Sequence, residues 1–160
     1  LTNNDILRRV RYAFDFKDNA MVEIFAAADH KVSVQQLHNW LRKDDDAQFV
    51  ALSDAELGLY LDGLINTKRG KREGEQPVVK EHLNNNVIFQ KLRIALNMRA
   101  EDVLETMQLV DFRLSKHELS AFFRKPDHKN YRECKDQILR NFLMGLQRQL
   151  RPQSDSPYPE

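Results

Sequence analysis

Apolar positions recur along this chain at the three- and four-residue intervals of amphipathic helices, and no segment alternates convincingly with the period of two that a half-buried strand needs. Four stripes stand out before residue 70. Ile6, Val10 and Ala13 form the first, and Met21, Phe25 and Ala28 the second. Leu37, Trp40 and Leu41 form the third, and Leu57, Tyr60, Leu61 and Leu64 the fourth. Each predicts a helix with one buried face.

The same four stripes return 82 residues later. Ile88, Leu92 and Ala95 match the first, and Val103, Met107 and Val110 the second. Leu119, Phe122 and Phe123 match the third; Leu139, Phe142, Leu143 and Leu146 match the fourth. Residues 1–69 align with 83–151 without a gap, and 19 of the 69 positions are identical. Chance would leave about one match in sixteen, so the reading is a tandem duplication of a four-helix unit. The fold class expected is all-α.

Polar residues punctuate the stripes. "SVQQ" at 33–36, "SKHE" at 115–118 and "SDAE" at 53–56 fit the S-x-x-E/Q capping box. The Asn runs at 3–4 and 84–86 suit N-caps of the first helix in each copy, and Asp54 suits a cap of the fourth. Arg42 and Lys43 suit the cation-favouring end of helix 3, and Pro126 suits the stop of its second copy. Gly63 and Gly145 fall inside the fourth helix, where a close helix crossing would offset their cost. The polar stretch 70–82 reads as a linker between repeats 1–69 and 83–151, and the proline-bearing 152–160 as a flexible tail.

Composition changes this picture little. The chain has 160 residues, 41% hydrophobic and 31% charged, within the globular range. One Cys excludes an internal disulfide, no start resembles a signal peptide, and no apolar run approaches a membrane span. Cytoplasmic residence, without membrane attachment, is the expectation. Residues 1–70 hold 9 Lys/Arg against 11 Asp/Glu, whereas 83–160 hold 13 against 10. Within 124–151 the ratio is 8 to 3, a mild hint of an anionic partner.

Reactive chemistry is hard to assemble. Cys134 stands where the first copy has Leu52, which predicts a small buried position rather than a nucleophile or ligand. The five His form no paired metal-ligand spacing, and no glycine-rich phosphate loop exists. No catalytic residue, metal or cofactor is therefore assigned. Most polar residues shared by the copies have a capping role, but Arg11/Arg93 and Glu23/Glu105 do not. They would form either a bond tying helix 1 to its neighbours or a surface for a partner.

A nucleic-acid alternative rests on helices 2 and 3. "AAADHKVSVQQLHNW" fits helix-turn-helix spacing if Lys31 takes the ninth, turn position. Gln35, Gln36, His38 and Asn39 would then face outward. In the second copy Lys116, His117 and Arg124 make that face basic, and Lys125, Asp127, His128 and Lys129 extend it. Against it stand Lys31 and Arg113 in place of a turn glycine, and the phosphate-repelling "DDD" at 44–46.

"NNDILRRVRY" (3–12), "WLRKDD" (40–45), "GLINTKRG" (63–70), "KLRIA" (91–95) and "PDHKNYREC" (126–134) together resemble the YehS-like family of small bacterial proteins of unknown function. The resemblance runs from about residue 3 to 151 and implies a bacterial cytosolic setting, with no activity, cofactor or site residue to carry over. The expected function is a non-enzymatic protein-interaction or regulatory binding module with an unidentified partner. Nucleic-acid binding is the alternative, and an enzyme without a recognisable motif the third reading. The sequence puts an asymmetric site, if there is one, at "HKN", 128–130, where "DAQ" stands in the first copy.

Overall fold

All eight expected helices form. The computed structural model describes residues 1–71 and 83–151, and among these there are helices and no strands. They are α1 (Asn3–Phe14), α2 (Asp18–Ala26), α3 (Val34–Leu41), α4 (Asp54–Arg69), α5 (Asn85–Ala95), α6 (Ala100–Gln108), α7 (Lys116–Phe122) and α8 (Asp136–Leu150). Of the expected linker only Gly70 and Lys71 lie within the described residues, and the expected tail, 152–160, lies outside them.

Helices of seven to nine residues, such as α2, α3, α6 and α7, cannot persist alone in water. Packing holds them. Ile6, Val10, Met21, Phe25, Leu37, Trp40, Leu57, Tyr60, Leu61 and Leu64 are all buried, as are their counterparts in the second half. Each such side chain contributes about 1.5–3 kcal/mol of burial. Ala28 and Val110 are only half-buried, because α2 and α6 end before reaching them.

Both halves share one continuous core. α2 packs on α3 and α4, and α6 on α7 and α8. The main companions of the first helices lie across the molecule: α1 packs on α8, and α5 on α4. Lys91 of α5 and Asp62 of α4 form an ion pair across that second junction.

Gly63 and Gly145 sit at the tight crossings. A Cβ on Gly63 would overlap the Ile24 carbonyl of α2, and one on Gly145 the Thr106 carbonyl of α6. The expected close approach is therefore present at both positions.

The Ser capping boxes form at Ser33, Ser53 and Ser115. The Asn runs cap only in part: Asn84 is the N-cap expected of its run, accepting Val87 N–H, and the other Asn residues do different work. Thr2 and Asn84 are the N-caps of α1 and α5, which puts Asn3, Asn4, Asn85 and Asn86 inside the helices. Asn4 is buried, and its amide donates to the carbonyls of Trp40 (2.9 Å) and Val50 (3.0 Å) while its oxygen accepts from Leu52 N–H (3.0 Å). Asn86 does the same to Phe122, Arg132 and Cys134. Asn3 and Asn85 donate to the carboxylates of Asp54 and Asp136, so Asp54 anchors α1 while Ser53 does the capping.

This clamp also corrects the end of the third helices. α3 stops at Leu41, with Arg42 as its C-cap and Lys43 beyond it, and α7 stops at Phe122, four residues before Pro126. Both ends fall where an Asn amide takes a last-turn carbonyl, with or without a proline. In the α2–α3 and α6–α7 connections, the left-handed residues are Asp29 (φ 59°) and Asp111 (φ 55°), two positions before Lys31 and Arg113.

Candidate functional site

One face of α1 carries Asp5, Arg8, Arg9 and Tyr12 at helical spacing. The turn after α3 brings Arg42, Lys43 and Asp44–Asp46 opposite it, and Asp18 and His38 join from α2 and α3. Together with Arg11 and Leu41 they line an open groove of about 1160 Å³.

Arg8 is its central strut. Its Nη1 donates to the Arg42 carbonyl (2.7 Å), and its Nη2 meets the carboxylates of Asp5 (2.7 Å) and Asp44 (3.3 Å). Partial burial alone would raise the Asp5 carboxyl, but the Thr2 N–H and hydroxyl and the Arg8 guanidinium outweigh it and hold it below its ordinary range. Arg42 lies 3.6 Å from Asp46, and His38 Nε2 2.8 Å from Asp18. At the far end of α1, Arg151 stacks 4.1 Å from the Tyr12 ring and donates to its carbonyl.

Arg8, Arg42 and His38 thus engage four of the five carboxylates. Arg11, Lys43 and Asp45 have no ion-pair partner among the described residues. Arg11 Nε is buried and finds no acceptor there. Its counterpart Arg93 is satisfied: Nε donates to the Met98 carbonyl (3.1 Å), and the guanidinium lies 4.8 Å from the Phe123 ring.

The second half does not repeat the groove's chemistry. At the positions 82 residues on, Asp5 becomes Val87, Arg8 Gln90, Tyr12 Ile94, Asp18 Ala100, His38 Ser120 and Asp44 Pro126. Only Arg11, Arg42, Lys43 and Asp45 among the charged liners keep their residue type.

The candidates from the sequence do not gather into one site. Glu23 and Glu105 are exposed and pair with neither Arg11 nor Arg93. Lys116 bridges to Glu101 at 2.6 Å, and His117 is exposed beside it at the start of α7. Arg124, Lys125, Asp127 and Lys129 are exposed in the turn past the other end of α7. His128 is half-buried and closes that turn by accepting Asn130 N–H on Nδ1 (3.0 Å). Asp46 performs the same bond with Gln48 N–H (2.8 Å), so the acidic-to-basic change at this corner keeps a structural task.

Cys134 is 2% exposed, against 4% for Leu52, and burial pushes its thiol up to about 12. A smaller hollow of about 430 Å³ beside it is lined by Asn84–Asn86 and Tyr131, part of the clamp already described. Among the described residues no three His, Cys, Asp or Glu side chains gather to hold a metal ion, and no helix is long and apolar enough to cross a membrane.

The groove was missed in the sequence because its parts lie in separate segments. The available signal was the Asp5–Arg8 pair together with a run of three Asp at 44–46, of which the second copy keeps one, as Asp127.

The model of a family described as "Protein of unknown function (DUF1456)" matches twice, over residues 3–70 and 85–151. The chain is also similar to the uncharacterized protein YehS of Escherichia coli (strain K12), 43% identical over 147 residues covering 91% of this chain and 94% of that protein. No solved structure matches significantly. The two family matches and the extent of the likeness to YehS show that this chain belongs to the DUF1456 family of proteins of unknown function.

Proposed function

We propose that the protein is a non-enzymatic bacterial binding module, cytoplasmic, built by tandem duplication of a four-helix unit, and that it engages a protein partner through the charged groove of its first half. The duplication is supported by 19 identities in 69 aligned positions and by the double family match. The single observation that carries the binding site is its asymmetry. Both halves keep the Asn clamp, whereas Asp5, Arg8, Asp18, His38, Asp44 and Asp46 of the groove have no like counterpart in the other half. A role in folding common to both halves accounts for the clamp but not for that lining.

The test uses the full chain as bait in a bacterial lysate. Lys43→Glu and Asp45→Lys alter the groove, and Lys125→Glu and Asp127→Lys are the matched changes in the second half. Specific capture of a protein that is lost only with the first pair supports the reading. Capture indifferent to the first pair, or lost equally with both, refutes it.

A second reading, nucleic-acid binding through helix-turn-helix-like units, is favoured by the exposure of Lys116, His117, Arg124, Lys125 and Lys129. Two observations weigh against it: Lys116 is already bridged to Glu101, and the left-handed turn residue is Asp29 rather than Lys31. It requires duplex affinity that falls steeply with salt, a slope flattened by Lys125→Ala. Absence of duplex and single-strand binding at low salt ends it.

A further inference from the structure

We infer that the two halves recognise each other through a twofold interface, each docking its first helix on the fourth helix of the other, so that a second copy of this chain can supply either half. The inference stands on the contacts between the halves and is independent of the groove reading.

Reciprocity carries it. α1 packs chiefly on α8, while α5, which matches α1 at the 82-residue spacing, packs chiefly on α4, which matches α8. The same pair of elements meets twice with the roles exchanged, the pattern of an isologous dimer interface. Two contacts set the direction at the first junction. Leu1 N lies 3.1 Å from an Asp136 carboxylate oxygen at the start of α8. Arg151, just past the end of α8, donates to the Tyr12 carbonyl near the end of α1 at 3.1 Å. The two helices therefore run parallel. A twofold relation makes α5 run parallel to α4 as well, level where Lys91 meets Asp62.

Parallel helices place a length demand on their connection. Arg69 ends α4 seven residues past Asp62, about 10 Å along the axis, and Asn85 begins α5 six residues before Lys91, about 9 Å the other way. The chain must return about 20 Å between them, which residues 70–84 span with length to spare. A tether of that length holds the halves at about millimolar effective concentration, so the intact chain pairs with itself. Without it, the apolar stripes of α1 and α5 find their fourth-helix partners only on another copy. Tyr12 of the groove would then be covered by the partner subunit's Arg151.

The test compares the wild-type chain with one lacking 70–82 and one carrying Gly and Ser throughout 70–82. The deletion keeps the buried Leu83 and the α5 cap Asn84, which reach about 10 Å, half the required return. Light scattering should give the Gly/Ser chain the wild-type mass and the deletion twice that mass, all three with equal helicity by circular dichroism. A folded deletion chain of wild-type mass overturns the inference. So does a deletion chain that folds at no concentration while the Gly/Ser chain folds. Failure of both would give 70–82 a part in the fold beyond a tether and overturn it too.

Charge exchange at the α4–α5 junction identifies the surface used. In the deletion background, Lys91→Asp and Asp62→Lys each set like charges against one another at both junctions of an exchanged dimer. Refolded together, the two variants restore opposite charges at both, and mixed dimers should exceed random pairing about tenfold, at about fivefold or less per surface ion pair. Dimers formed through any other surface keep positions 62 and 91 within one chain and mix at random, and that result overturns the inference.

Discussion

Asn4 Oδ1 accepts the backbone N–H of Leu52 across 48 residues of chain, at 3.0 Å, from a buried position on α1. The same side chain donates to Trp40 and Val50, so one amide terminates α3 and pins the strap leading into α4. Asn86 repeats all three bonds. Replacing Asn4 or Asn86 with Ala leaves two carbonyls and one N–H short of partners. Either variant should lose about 2–4 kcal/mol of unfolding free energy, read by urea denaturation. A loss comparable with that of a surface substitution would refute the clamp.

Gly63→Ala tests the helix crossing. Alanine would gain about 1 kcal/mol in helix propensity. Its Cβ would collide with backbone at Ile24, which cannot swing aside as a side chain does. Overpacking of that kind costs about 1–3 kcal/mol, so the variant should melt at a lower temperature, as should Gly145→Ala. Because α1 packs on α8 and α4 on α5, each should shift one cooperative transition by calorimetry. Two separated transitions would contradict the shared core.

Cys134 should resist thiol reagents in the folded protein and react at the ordinary rate once denatured, since a buried thiol pushed up to about 12 offers little thiolate. Cys134→Leu, the residue at the matching position, enlarges a packed side chain and should keep the fold at a cost of about 1–3 kcal/mol. Rapid labelling of the native protein would overturn the assignment of a packing role.

Asp5 sets a pH dependence. Its carboxyl is held below the ordinary aspartate value of 3.8, so the unfolded chain binds its proton more readily than the folded one. The stability this supplies is complete above the unfolded value and disappears as pH falls through the folded one. Wild type should exceed Asp5→Asn in stability at pH 6, and the gap should close on acidification below about pH 4. A gap constant from pH 6 to the acid limit would exclude Asp5 as its source.

Much of the architecture was legible because each part of it is local. The stripes at Ile6, Val10 and Ala13, or Leu57, Leu61 and Leu64, are read from spacing alone, and the Ser33 and Ser115 boxes from four residues each. Asn4 was misread as a cap because a polar residue near a helix start satisfies that pattern whether it bonds its own helix or a loop 46 to 48 residues away. Arg11 and Arg93 were paired by identity, but Phe123 offers a ring where Leu41 offers none.

Helix positions, the 82-residue spacing and the buried character of Cys134 were determined by the sequence, through periodicity and self-alignment. Tertiary structure decided which helices meet. Apolar stripes say that a face is buried without naming its partner, and the match of α1 with α8 and α5 with α4 depends on shape across the whole core. The groove followed from that same step: Asp5, Arg8, Arg42 and Asp44 become one ion-pair network when α1 and the end of α3 are brought together, a proximity that chain spacing does not encode.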